Sequence, residues 1–307
     1  MRRVAVVGSS GLVGYHIIKE AESRGWNVLG TFLTNDPGVI SCSSLDILDP
    51  EGVNDLLSRF QPEGVILAAA VSDVDECERN PGVAWNVNVE GTLNVAEVCA
   101  RLGCPMLFIS SDYVFNGLKD SPYREEDVPD PLNIYGRTKL EGERLVLEAS
   151  VQNIVCRVSV VFGWQGTSVR DNIVLKVLRR LKAREEVSLF NDQWSTPTYA
   201  PEAASLMLDL LSKDRGTISM FEGEGRGIFH LSGRECVSRY ELGMLVADVF
   251  DLDHNLIRPL SMEKAGMSAP RPRISCLSVV KVEAELNTSI TSLREALEDM
   301  RSREGES

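Results

Sequence analysis

Val4-Ala5-Val6-Val7-Gly8-Ser9-Ser10-Gly11-Leu12-Val13-Gly14 takes the chain from an apolar run through a glycine-rich turn into a helical pattern. Four consecutive apolar residues suit a parallel strand buried on both faces. After Leu12 the apolar residues Ile17, Ile18 and Ala21 recur at helical spacing, and the pattern ends near Gly25. In the sequence strand, turn, helix, glycines allow a tight turn and let the backbone approach a pyrophosphate seated on the helix N-terminus. Gly8, Ser10, Gly11, Leu12, Val13 and Gly14 are therefore the expected contacts of a dinucleotide. A glycine-rich turn with no ligand is the plain alternative.

Working outward, the next strand is Asn27–Phe32, and its end decides which dinucleotide is preferred. A site that prefers NAD usually places an acid there for the ribose hydroxyls. Here Gly30-Thr31-Phe32-Leu33 carries none before Asp36, which tilts the expectation to NADP(H), with Thr31 at the ribose. Asp49 and Pro50 read as cap and first residue of a helix. Gly64–Ala70 reads as another buried strand, and Asp73 to Glu78 as a solvated helix start. Pro81 to Arg101 reads as one long helix, in which Asn88 is a poor helix former in need of another reason.

Pro105–Ile109 is the strand that delivers Ser111. Downstream, Tyr135 and Lys139 stand four apart, which on a helix places phenol and ammonium on one face, one turn apart. A phenol titrates near ~10, and a neighbouring cation lowers it. Such a tyrosine can protonate the oxygen formed when a hydride reaches a carbonyl. A serine hydroxyl converging on the same oxygen stabilises the developing charge. Alone the Tyr-x-x-x-Lys spacing is weak; with the glycine turn and Ser111 it becomes a consistent set.

The glycine spacing Gly-x-x-Gly-x-x-Gly resembles that of extended short-chain dehydrogenases/reductases. The segments ISSDYVFNG, PYREEDVPDPLNIYGRTKLEGE and APRPRISCLS are similar to the dTDP-4-dehydrorhamnose reductase family, which includes the related regulatory β subunit of methionine adenosyltransferase. The resemblance runs from Val4 to about Leu297. It implies a Rossmann-type, doubly wound parallel α/β fold with a smaller discontinuous C-terminal substrate lobe. It implies that Ser111, Tyr135 and Lys139 are the catalytic residues of an NADPH-dependent reductase of a 4-keto nucleotide sugar, in deoxysugar and polysaccharide biosynthesis. By the same resemblance Asp46 and Ile47 meet the adenine, Ala68, Ala69 and Ala70 line the cofactor, and Asn88 helps to position the lysine. Asp112, Tyr113, Asn172 and Arg271 fall to the substrate, with Pro270–Arg273 as a clamp for a diphosphate; a surface loop pinned by prolines is the alternative there.

Two segments depart from the family pattern and put the sugar in doubt. Val158-Ser159-Val160-Val161-Phe162-Gly163 replaces Thr-Ser-Trp-Val-Tyr-Gly, and Asp192-Gln193-Trp194-Ser195-Thr196-Pro197-Thr198 replaces Asp-Gln-x-Gly-x-Pro-Thr. Two other functions stay open: a non-catalytic NADP-binding subunit of a methionine adenosyltransferase, and a nucleotide-sugar epimerase. Dehydration is disfavoured, because the acid–base pair it needs reads Asp112-Tyr113 here.

The expected domains are 1–161 plus about 194–216 for the dinucleotide, about 162–193 and 217–301 for the substrate lobe, and a disordered tail at 302–307. Ser168 to Ala183, Pro201–Leu211, Arg239–Phe250 and Thr291–Met300 read as helices, Ile228–Leu231 as a strand and Gly223–Gly227 as a glycine-rich hairpin or loop. A net charge of −13 argues against nucleic acid or an anionic membrane as partner, and no apolar stretch approaches a membrane span. The expected location is cytoplasmic. Seven cysteines without a Cys-x-x-Cys pair read as reduced thiols. His16, His230 and His254 are too separated for a metal cage, and nothing in the residues calls for magnesium. The expected small-molecule partner is a nucleotide sugar; a homodimer and a methionine adenosyltransferase remain open as protein partners.

Overall fold

The opening apolar run forms strand β1 (Arg3–Val7), buried from Val4 onward, because parallel neighbours flank it on both sides. The computed structural model of the chain describes residues 2–36, 38, 41–164, 171–213 and 227–305. With β1 stand β2 (Asn27–Phe32), β3 (Cys42–Ser44), β4 (Gly64–Leu67), β5 (Met106–Ser111), β6 (Ile154–Val158) and the strand Ile228–His230. Across the sheet the order is Ile228–His230, β6, β5, β4, β1, β2, β3, with every pairing parallel. The strand order reverses between β1 and β4, which opens a crevice at the carboxyl ends there. The expected doubly wound parallel sheet is the one formed.

Helices cover both faces. On one, α1 (Leu12–Ser23) and the helix Ala200–Ser212 bury Ile17, Ile18, Ala21, Met207 and Leu210 against Val4, Val6 and Ile66. On the other, α2 (Pro50–Phe60) contributes Val53 and Leu57, with Asp49 accepting from the Glu51 and Gly52 N–H groups at its start. The short helices α3 (Val74–Arg79) and α4 (Pro81–Trp85) lead into α5 (Gly91–Leu102), and α6 (Ile134–Ala149) follows β5. The helix expected from Pro81 to Arg101 runs without a break from Pro81 to Leu102, and within it Asn86–Glu90, between α4 and α5, is a π turn. It contains Asn88, and such turns frequently mark functional sites.

A third core lies outside the sheet. Phe162 and Leu189 from the short strands Val161–Phe162 and Val187–Phe190 gather there with Val174, Leu178, Leu242, Val246 and Leu297 from helices Ile173–Lys182, Arg239–Val249 and Leu293–Ser302. The lobe expected from 217 onward gives up part of its length to the sheet. Ile228–His230 is the edge strand, and Val279, Val282 and Ile290 pack with Phe229 on the large core.

Three further expectations are corrected or left aside. Cys236 and Cys276 form a disulfide with Cα atoms 5.5 Å apart, so not every cysteine is a reduced thiol. Forty residues separate them, and only the tertiary fold brings the two segments together. The tail expected from residue 302 starts inside the last helix, and Arg303 still bonds Asp299 at 3.0 Å. Residues 306–307, the helix start expected at 168–170 and the loop at 223–226 lie outside the described residues. Among the described residues, no helix is long and apolar enough to cross a membrane.

Candidate active site

The carboxyl ends of β1, β4 and β5 and the start of α6 surround a cavity of about 420 Å³. Its walls include Gly11, Leu12, Val13 and Gly14 from the glycine turn, and Ala68 and Ala70 beyond β4. Ser111, Asp112, Tyr113, Tyr135 and Lys139 complete the wall of polar groups. Of the residues read from the sequence, these are the ones the fold gathers into one space.

At the turn, Gly8 sits at φ 94°, and a Cβ there would lie 2.4 Å from the Ala69 nitrogen. Only glycine fits so close to the backbone of the neighbouring strand end. Gly11 caps α1 with no side-chain hydrogen bond, so the first turn of that helix is not occupied by a capping group of its own. Such a helix end attracts a phosphate. Gly136 does the equivalent service for α6. A Cβ on it would lie 2.1 Å from the Tyr113 carbonyl oxygen, so its absence lets Tyr135 approach the end of β5.

Ser111 is buried at the last position of β5. Its hydroxyl donates to Asp112 Oδ1 at 3.0 Å and accepts from the Tyr113 N–H at 3.2 Å. The other Asp112 oxygen accepts from Ser159 at 2.7 Å and Ser275 at 2.6 Å. Burial raises the Asp112 carboxyl above its usual range, while the Ser275 and Ser159 hydroxyls work to hold it down. Asp112 thus organises three hydroxyls from three chain segments and presents no unused oxygen to a substrate. The Tyr135 ring meets the Tyr113 ring edge-on at 5.9 Å between centroids. Burial pushes the Tyr135 phenol well up, and a hydrogen bond with Ser111 opposes that. The same burial lowers the Lys139 ammonium to about 7, against the pull of Glu143. Lys139 lies 4.0 Å over the Phe108 ring and makes no hydrogen bond among the described residues. A buried ammonium in that state is suited to receive acceptor hydroxyls from a bound group.

Asn88 is placed close by. Its side chain accepts from the Val71 N–H at 2.8 Å and donates to Thr138 at 3.0 Å, the residue before Lys139. Thr31 is 1% exposed and its Oγ1 accepts from the Gly8 N–H at 3.3 Å. Ser10 and Ala69 flank the turn without lining the cavity. Asp46 is exposed and spends an oxygen on the Leu48 N–H at 2.9 Å, while Ile47 is buried against Gly91.

Two expected substrate contacts are engaged elsewhere. Asn172 caps the helix Ile173–Lys182, accepting from Leu175 and donating to the Gly163 carbonyl at 2.8 Å. Arg271 grips Asp75 through both terminal guanidinium nitrogens, at 2.8 and 2.6 Å. Asp75 is accordingly no solvated surface acid: Arg271 holds its carboxyl down to about 2. Sequence reasoning missed Arg239, which lines the cavity, and Ser275, which holds Asp112 together with Ser159 from the departing segment Val158–Gly163. Val160, also on the wall, is a β-branched residue held at φ 45°. That conformation costs about 1–3 kcal/mol and is characteristic of functional sites. Arg239 and Ser275 carry no local pattern, whereas Ser159 and Val160 lie in the departing segment Val158–Gly163. Among the described residues, no cluster of three metal-ligating side chains is present.

A family model described as the RmlD substrate binding domain matches residues 1–305. The chain is 36% identical over 295 residues to "Probable low-salt glycan biosynthesis reductase Agl14" of Haloferax volcanii, covering 95% of each chain. It is 33% identical over 285 residues to "Methionine adenosyltransferase 2 subunit beta" of Bos taurus, covering 92% of this chain and 82% of the relative. Among solved structures, the dTDP-4-dehydrorhamnose reductase of Bacillus anthracis in complex with NADP superimposes with a TM-score of 0.86 at 27% identity. That superposition covers 99% of this chain and 100% of the other.

Proposed function

The chain belongs to the RmlD substrate binding domain family, and from that premise we propose that it is an NADPH-dependent reductase of a 4-keto nucleotide sugar. The observation that carries the reading is the meeting of Ser111, Tyr135 and Lys139 in one cavity with the glycine turn. The residues fit a dinucleotide: a turn with glycine at positions 8, 11 and 14, a helix end without a side-chain cap, and a buried ammonium that makes no hydrogen bond among the described residues. When bound, the cofactor supplies the hydride for the keto carbon.

The protein's own part is to hold the carbonyl and move a proton. Tyr135 gives its phenolic proton to the carbonyl oxygen as that oxygen gains charge. Lys139, one helical turn on, stabilises the phenolate left behind and receives ribose hydroxyls. Ser111 turns its proton from Asp112 to the same oxygen. Asp112 then keeps the Ser159 and Ser275 bonds, which makes the turn affordable. The burial that raises the Tyr135 phenol also excludes water from this transfer.

NADPH should bind more tightly than NADH. The buried Thr31 stands where an acid would repel a 2′-phosphate, and the first carboxylate, Asp36, is turned onto the Gly38 N–H at 2.9 Å. The test is NADPH oxidation followed against a panel of 4-keto nucleotide sugars, with NADH in parallel. Oxidation with one of them, faster at low NADPH than at equal NADH, is the expected result. Equal affinities would overturn the cofactor preference.

The 33% identity to a methionine adenosyltransferase β subunit favours a second reading, a dinucleotide-loaded regulatory subunit. No oxidation across the panel, with co-purification of an adenosyltransferase, would establish it in place of the first.

A further inference from the structure

Arg239 enters the cavity from the first position of the helix Arg239–Val249, whose start is fixed by the Ser238–Glu241 capping box. Its surroundings leave it underused. The Nε group donates to Gln193 Oε1 at 3.5 Å, a long contact. Its Nη1 is buried and has no hydrogen-bond partner. The neighbouring carboxylate, Asp112, makes no ion pair with it, since its oxygens are taken by the hydroxyls of Ser111, Ser159 and Ser275. Tyr113 stands beside Arg239, interacts with its guanidinium and accepts from Gln193 at 3.4 Å, and Asp112 attracts the same cation, which leaves Nη1 as the nitrogen with its bond unmade.

A buried guanidinium with an unmade bond is costly, and sites retain such a group for a ligand that completes it. Arg271, the cation singled out by its proline-rich segment, is a poorer candidate because both its terminal nitrogens already hold Asp75. We infer that Arg239 binds an oxyanion of the substrate beside Asp112 and Tyr113: a phosphate of the nucleotide diphosphate, or a carboxylate on the sugar. This rests on the nucleotide-sugar reading of the cavity. A guanidinium suits either source, because its planar fork matches both groups. It also places positive charge at the ligand in a chain whose net charge is −13.

The experiment is calorimetric titration of the NADP-saturated protein, wild type against Arg239→Gln and Arg239→Lys. The probes are thymidine diphosphoglucose, uridine diphosphoglucuronate and inorganic pyrophosphate. With the glycine turn already filled, Arg239→Gln should weaken thymidine diphosphoglucose by roughly ten- to a hundredfold. Arg239→Lys should fall between it and wild type. NADPH affinity should stay near wild type in both variants. A loss seen for the glucuronate alone would support the site with the sugar carboxylate as its ligand. Equal binding of every probe by wild type and Arg239→Gln would overturn it. Pyrophosphate binding that depends on Arg239, with no sugar nucleotide bound, would keep the anion site and remove the nucleotide-sugar reading. No binding of any probe by the wild type would overturn both.

Discussion

Tyr135→Phe is expected to lower turnover by roughly 10²–10⁴-fold while leaving NADPH affinity nearly unchanged. The hydroxyl is removed, with its transferable proton and its hydrogen bond to Ser111; the ring, its edge contact with Tyr113 and the close approach permitted by Gly136 all survive. Stopped-flow turnover with an accepted 4-keto sugar, paired with a fluorescence titration of NADPH, separates the two effects. A variant that kept more than about a tenth of its turnover would rule out the phenol as proton donor.

Lys139→Met provides the complementary case, with damage to both turnover and NADPH binding. Its stability should move the other way. Burial brings the Lys139 ammonium down to about 7 in the folded protein, while an unfolded lysine titrates near ~10.4. Between those values the unfolded chain binds more protons, so this residue makes stability rise with pH from about 7 to about 10. The penalty is therefore fully present below about 7. Urea titrations of the cofactor-free protein at pH 7 and pH 9.5 should show that slope in wild type and a smaller one in Lys139→Met. An unchanged slope would mean the ammonium is solvated.

How far these residues were legible in the sequence depends on whether their partners are local. The Val4–Gly14 turn, the parallel strands and the Tyr135–Lys139 spacing are set by backbone periods and by glycines, and those are visible in a window of about a dozen residues. Asp49 declared its capping role for the same reason. Asp75 with Arg271, Cys236 with Cys276 and Asp112 with Ser275 are matched only by the folded chain, across 196, 40 and 163 residues. So Asp75 read as a solvated acid and Arg271 as a free clamp. Asn172 shows a role that local chemistry allows: an asparagine ahead of a helix can cap it, and here it caps Ile173–Lys182. Arg239 had no signal at all, being the first residue after a serine cap in a helix of ordinary pattern.

Arg157→Met should be the most destabilising single change near the site, at roughly 3–5 kcal/mol. Arg157 on β6 is 1% exposed and binds Glu143 on α6 at 2.9 and 2.7 Å, and Ser110 adds a third bond to that carboxylate at 2.5 Å. Removing the guanidinium leaves a buried carboxylate with one hydroxyl for company. Chemical denaturation measures the loss, and a value under about 1 kcal/mol would mean the pair is solvated or dispensable. The double variant Arg157→Met/Glu143→Leu distinguishes stability from positioning. Replacing both members by apolar groups of similar size is often neutral for stability, so most of the loss should be recovered. Turnover should not recover with it. Glu143 lies one turn beyond Lys139, and Arg157 pairs with Ser110 in the sheet beside Ser111, so the ion pair joins the tyrosine–lysine helix to the serine strand. An apolar contact can hold those two elements together without fixing their register to the fraction of an ångström that proton transfer requires. A double variant that is stable and also fully active would show that packing alone sets the geometry of Tyr135, Lys139 and Ser111.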